Sequence, residues 1–84
     1  MSVHDSRRIA RAFGAVLKRA RTGAGLSQET LADRAALDRT TPSLYERGLR
    51  QPTIATVISL ARALHLDPPV LVHMLITQLR GEAP

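Results

Sequence analysis

Residues 26–48, LSQETLADRAALDRTTPSLYERG, set two short helical patterns on either side of a four-residue corner. Ser27 is placed to cap the first, and Leu31, Ala32 and Ala35 give it an apolar stripe at helical spacing. Leu37 is the lone apolar residue of the corner, set to turn inward and pin it. Asp38 or Arg39 opens the second helix, which carries Thr40, Thr41 and Ser43 and stops at Gly48 as a left-handed C′ residue. The outcome is a solvent-facing helix rich in Arg, Thr and Ser, propped across a helix that buries its own apolar face. Side chains held in that way can be presented to a DNA major groove.

The flanking sequence reads as three more helices. Residues 6–22 form the first, capped by Asp5 or Ser6, with Ile9, Phe13, Val16, Leu17 and Ala20 on one face; Gly23 and Gly25 end it. After a loop at residues 49–52, Thr53 caps a fourth helix with Ile54, Val57, Ile58, Ala61 and Leu64 inward. Asp67-Pro68 is a cap followed by proline at the first helical position, and it starts a fifth helix running to about Leu79. There is no alternating strand pattern, no internal repeat and no low-complexity segment. The expected fold is all-α: a five-helix bundle whose second and third helices form a helix-turn-helix. One domain spans residues 1–84, with its core at 6–79 and a frayed tail at 80–84.

Several function classes fall away on composition. Without cysteine there is neither a disulfide nor a thiolate metal site. His4, His65 and His73 are scattered without metal-ligand spacing; His65 falls where a helix ends and His73 on a helix surface. Gly23-Ala24-Gly25 is a helix break, since no strand precedes it to make a nucleotide-binding turn. Asp33 and Asp38 read as surface and cap residues, not as a catalytic pair. No enzyme activity, metal, cofactor or small-molecule ligand is expected. The apolar stretch at residues 70–76 is broken by His73 and far too short to span a bilayer, and the N-terminus lacks the apolar run of a signal peptide. A cytoplasmic protein with no membrane partner is therefore expected. An aliphatic, small-residue core is also expected, since Phe13 and Tyr45 are the only aromatic residues.

Charge points to a polyanion. The net charge is +5, carried by eleven arginines and one lysine, and guanidinium forks match phosphate and guanine geometry better than an ammonium does. At the start of a helix inserted in a groove, Arg39 can donate two hydrogen bonds to guanine O6 and N7. Thr40 offers a hydroxyl, or a methyl against thymine. Ser43 is small enough to let the helix approach.

The run Leu26-Ser27-Gln28-Glu29, then Leu31-Ala32, Ser43, Glu46-Arg47-Gly48, Pro52-Thr53 and Leu60-Ala61-Arg62-Ala63-Leu64 resembles the lambda-repressor-like, Cro-type helix-turn-helix family in order and spacing. The resemblance covers about residues 13–72 and implies a five-helix domain, usually dimeric on DNA. It further implies that Arg39, Thr40, Ser43 and Leu44 face base edges or lie beside them. Gln28, Thr41, Arg47 and Arg50 match phosphate-contacting positions, with Gln28 also bracing the recognition helix. Arg21 and Glu46 match an internal salt bridge. Leu44 stands where many relatives carry a polar reader; it meets a thymine methyl or turns into a dimer interface, and the residues leave both open. Pro42 falls in the first turn of the third helix, where its missing N–H costs little but Thr41 before it is restricted. Ala36 replaces the glycine usual in the corner, so strain or an altered turn is expected there.

The fifth helix has apolar residues on more than one face. One stripe seals the bundle and leaves Val72, Ile76 and Leu79 as a candidate homodimer strip. A dimer sets two recognition helices about one DNA turn apart, roughly 34 Å, on an inverted-repeat operator. With no room for an effector domain, the resemblance points to a small stand-alone regulator of the class that includes restriction–modification controller proteins. The competing expectation is a protein-interaction module of the same fold, such as an antitoxin that binds a protein partner.

Overall fold

The computed structural model describes residues 3–81, and its element order is α1 (Val3–Gly23), α2 (Gln28–Arg34), α3 (Thr41–Glu46), α4 (Ile54–Ala63) and α5 (Pro68–Gly81). No strand occurs among the described residues. α1 starts three residues earlier than its sequence pattern indicates, so Asp5 lies in its first turn instead of capping it. At the other end α5 continues through Arg80 and Gly81, both expected in a frayed tail; residues 82–84 lie outside the described part.

α1 is the spine of the bundle, packing against α3 on one side and α5 on another, while α4 sits between α2 and α5. The core is aliphatic: Val16 and Leu17 of α1, Leu31 of α2, Leu60 and Ala61 of α4 and Leu71 of α5 have no exposed surface. Each fully buried Leu contributes about 2 kcal/mol of transfer free energy. The chain's two aromatic side chains meet each other, Phe13 and Tyr45 packing edge to face with ring centroids 6.3 Å apart. That contact fixes α3 to α1.

Four helices end on the same device, a Schellman turn. In each, the residue after the C-cap takes a left-handed conformation and its N–H reaches the C2 carbonyl, while the next N–H reaches C3. The pairs are Gly25/Leu26 after α1, Ala36/Leu37 after α2, Gly48/Leu49 after α3 and His65/Leu66 after α4. Leucine follows the left-handed residue every time, and Leu26, Leu37 and Leu66 pack onto the core from these positions. Leu49 is the exception at 62% exposed. Ala36 (φ 56°) and His65 (φ 58°) adopt this conformation despite carrying a Cβ. The strain expected at Ala36 is thus located in its backbone.

The expected N-caps of α2 and α4 both form. Ser27 Oγ accepts from Thr30 N at 3.0 Å and Thr53 Oγ1 accepts from Thr56 N at 3.1 Å. α4 is rotated from the expected stripe. Ile54 is 82% exposed instead of inward, Val57 and Ile58 are half-buried, and Leu60 and Ala63 join Ala61 and Leu64 in the interior. α4 packs against both α2 and α5, so its buried face is set by two neighbours and not by a single stripe.

Candidate nucleic-acid interface

The angle of α3 is set by one carboxylate. Arg21, near the end of α1, donates from Nε to Glu46 Oε2 at 2.6 Å and from Nη2 to Oε1 at 3.0 Å. Its Nη1 donates to the Leu26 carbonyl at 2.8 Å, and Gln28 Nε2 donates to Glu46 Oε1 at 3.2 Å. The Glu46 side chain is only 4% exposed, so α1, the α1–α2 connection, α2 and α3 are held around a nearly dry ion pair. The hydrogen bond to Glu46, helped by its charge and opposed by desolvation, raises the Arg21 pKa above its ordinary value. The ion pair and the bracing role of Gln28 both take the form the sequence led us to expect.

The start of α3 differs from expectation. Residues 38–40 form a turn, closed by Thr41 N donating to the Asp38 carbonyl at 3.0 Å, and the helix begins at Thr41, not at Asp38 or Arg39. Asp38 Oδ1 accepts from Thr40 N at 2.9 Å and from Thr40 Oγ1 at 2.7 Å. These bonds, first the hydroxyl and then the amide, hold the Asp38 carboxyl below the usual carboxylate range, with Arg39 and Arg50 adding smaller electrostatic contributions. Pro42 occupies the second helical position, where no intrahelical donor is lost, and its ring is fully buried. Thr41 is buried as well, at 8% exposed, because the helix start it opens is turned toward the interior. The expected surface-facing, phosphate-contacting Thr41 is thereby corrected to an interior residue.

What remains outward is coherent. Thr40, Ser43, Leu44 and Arg47 stand at i, i+3, i+4 and i+7 and share one face. With Gln28, Glu29 and Arg39 they line a single open cleft between the start of α2 and the outer side of α3. Arg39 spans this cleft: its Nη2 donates to Glu29 Oε1, with side chains 73% and 66% exposed. The hydrogen bond and charge of Glu29 raise the Arg39 pKa further above its ordinary value. Glu29 was not singled out in the sequence. A first-turn carboxylate facing the residue that follows the corner is the signal that finds it. Arg50 does not line this cleft; it lies in the α3–α4 loop beside a second depression shared with Arg7.

On the far side of the bundle Val72 and Ile76 are exposed, at 45% and 40%, as the dimer strip requires. Leu79, the third residue of that strip, is half-buried, and its backbone carbonyl accepts from Arg8 Nη2 at 2.7 Å. Ile54, with Val57, Ile58, Pro68, Pro69 and Val72, lines an apolar groove between α4 and α5. Among the described residues no group of three or more His, Asp or Glu side chains could hold a metal ion, and no single helix is long and apolar enough to cross a membrane.

Residues 12–74 match the family model described as a helix-turn-helix domain. No curated protein sequence matches the chain significantly. Among solved structures, the restriction–modification controller protein C.AhdI from Aeromonas hydrophila is 42% identical, with a TM-score of 0.71 over 74% of this chain and 94% of that one. The wild-type controller protein C.Esp1396I is 30% identical, with a TM-score of 0.79 over 95% of this chain and 99% of its own. The C.Esp1396I tetramer in complex with its natural 35 base-pair operator matches with the same identity, coverage and TM-score. Family model, identity and coverage agree: the chain belongs to the Cro-type helix-turn-helix family, and its relatives of known structure within that family include restriction–modification controller proteins.

Proposed function

We propose that this protein is a transcriptional regulator that binds double-stranded DNA in a sequence-specific manner, as a homodimer on an inverted repeat, with α3 in the major groove. The observation that carries the reading is the cleft: Gln28, Arg39, Thr40, Ser43, Leu44 and Arg47 converge on one outward face of an α3 whose tilt is fixed by Arg21 and Glu46. The operator complex of C.Esp1396I supports it.

In this reading Arg39 leaves Glu29 to donate to guanine O6 and N7, Thr40 and Ser43 supply hydroxyls to base edges, and Leu44 packs on a thymine methyl. Gln28 and Arg47 hold phosphates at the rims of the groove, and Arg50 does so from the loop. A second copy of the chain covers Ile54, Val72 and Ile76, which doubles the phosphate contacts and makes binding steeply dependent on salt. Such a role belongs in the cytoplasm, with the chromosome, and needs no cofactor.

Selection of bound fragments from random duplex DNA tests the reading. The expected product is an inverted repeat with half-site centres roughly 34 Å apart. Fragments without common sequence, or no DNA recovered, would overturn it. The antitoxin reading then gains, because the apolar α4–α5 groove is suited to a protein partner; Val72→Asp or Ile76→Asp abolishing function without altering DNA affinity would mark it.

A further inference from the structure

The chain leaving α3 runs along α1 toward its N-terminus. Gly14 lies beneath the carbonyls of Tyr45 and Glu46, Arg11 beneath Gly48, and Ser6 beside Gln51. Gln51 fastens the far end of this loop, its Nε2 donating to the Ser6 carbonyl at 2.8 Å and to Ser6 Oγ at 2.5 Å. Arg7 and Arg11, one turn apart on α1, therefore share a face with each other and flank the loop that carries Arg50. All three are exposed. Ser6, Arg7, Ala10, Gly48, Leu49 and Arg50 border a shallow depression. Neither the Arg21–Glu46 nor the Arg39–Glu29 ion pair engages these three arginines. Asp38, the acid on which Arg50 exerts a small electrostatic effect, has its carboxylate already engaged by Thr40.

We propose that Arg7 and Arg11 of α1 join Arg50 in a second phosphate-binding patch, which grips the DNA backbone beyond the end of the recognition helix. The proposal rests on the DNA-binding reading above and extends it to a helix outside the helix-turn-helix. Arg7 and Arg50 border a concavity too shallow to enclose a small anion, with the exposed Arg11 beside Gly48 at its edge; such an arrangement suits an extended polyanion, and the patch adjoins α3 at its C-terminal end. The loop lies close on α1: at Gly48, whose φ is 70°, a Cβ would stand 2.9 Å from Arg11 Cγ and 3.1 Å from Arg11 Cα. The patch carries charge and no base-reading geometry, so it adds affinity without sequence preference.

The test is the salt dependence of binding, measured by fluorescence anisotropy on the duplex selected above and on a random-sequence duplex of equal length. Arg7→Gln with Arg11→Gln is compared with Arg34→Gln plus Arg62→Gln, which removes the same charge from a separate exposed cluster. Each phosphate contact contributes about 0.9 to the slope of log K against log salt. The first pair is expected to flatten the slope by about 1.8 per protomer on both duplexes, with the selected sequence unchanged. Arg7→Lys with Arg11→Lys is expected to keep the slope, and the control pair to leave it untouched. An unchanged slope in the first pair, or equal flattening in the control, overturns the patch while the DNA-binding reading stands. Failure of the unmodified chain to bind any duplex overturns both.

Discussion

Gly14 of α1 faces the end of α3 so closely that a Cβ on it would stand 2.4 Å from the Tyr45 carbonyl oxygen and 2.7 Å from that of Glu46. The atoms in the way are backbone and cannot swing aside. Ala normally gains about 1 kcal/mol over Gly inside a helix, but here the clash decides the sign. Gly14→Ala is expected to destabilise the fold by about 1–3 kcal/mol in urea unfolding. Gly23→Ala, with open space around it, is expected to be neutral or slightly stabilising.

The Arg21–Glu46 pair is mostly withdrawn from water, at 12% and 4% side-chain exposure. Removing one partner leaves the other charge buried alone. Glu46→Ala is expected to cost about 3 kcal/mol, well above the value of an exposed pair. The same variant loses the Gln28 brace, so DNA affinity is expected to fall even where the chain remains folded. Calorimetry and anisotropy on one preparation separate the two effects.

Thr40 donates twice to Asp38, through amide and hydroxyl, and depresses the carboxyl's pKa. A carboxylate depressed on folding stabilises the fold fully above its unfolded pKa of about 3.9 and loses that contribution as pH falls through the folded value. NMR titration is expected to find the Asp38 midpoint below the usual carboxylate range. In Thr40→Ala, where the larger of the two causes is gone, the midpoint is expected to move back up. An identical midpoint in both proteins would contradict the assignment.

Ala36 holds a left-handed conformation with φ 56° in the corner between α2 and α3. A Cβ there costs roughly 1 kcal/mol or more, and the position needs only its backbone to complete the turn. Ala36→Gly is expected to raise stability by about 1 kcal/mol, or about 4–8 °C in Tm for a domain of this size. A decrease would show that the alanine methyl packs usefully.

Local signals made much of this fold legible. Ser27 and Thr53 cap the helices their spacing assigned to them, and Pro68 opens α5 one residue after Asp67. The Arg21–Glu46 pair came from family resemblance, since nothing in residues 25 apart announces a contact. Features set by tertiary packing stayed hidden. Ile54 fits an inward helical stripe yet is 82% exposed, while Leu60, off that stripe, is fully buried, because α4 packs against two helices, α2 and α5. The onset of α3 was misplaced because the Asp38–Thr40 bonds make a turn that helical periodicity cannot foresee. Thr41, matched to a phosphate contact by the resemblance, is an interior residue for a tertiary reason, the inward turn of the helix start. Gly14 and the approach of the Arg50 loop to Arg7 and Arg11 depend on which helices meet, and only the fold supplies that.

The central claim is that the α3 cleft reads bases, with Arg39 as its most selective member. Comparing the sequences selected from random duplex DNA by the unmodified chain and by Arg39→Ala tests it most directly. Loss of one bidentate contact is worth about 1–3 kcal/mol of discrimination, so the variant is expected to lose its preference at one guanine per half-site and to keep the other positions. Identical sequence preferences in the two proteins would contradict the claim.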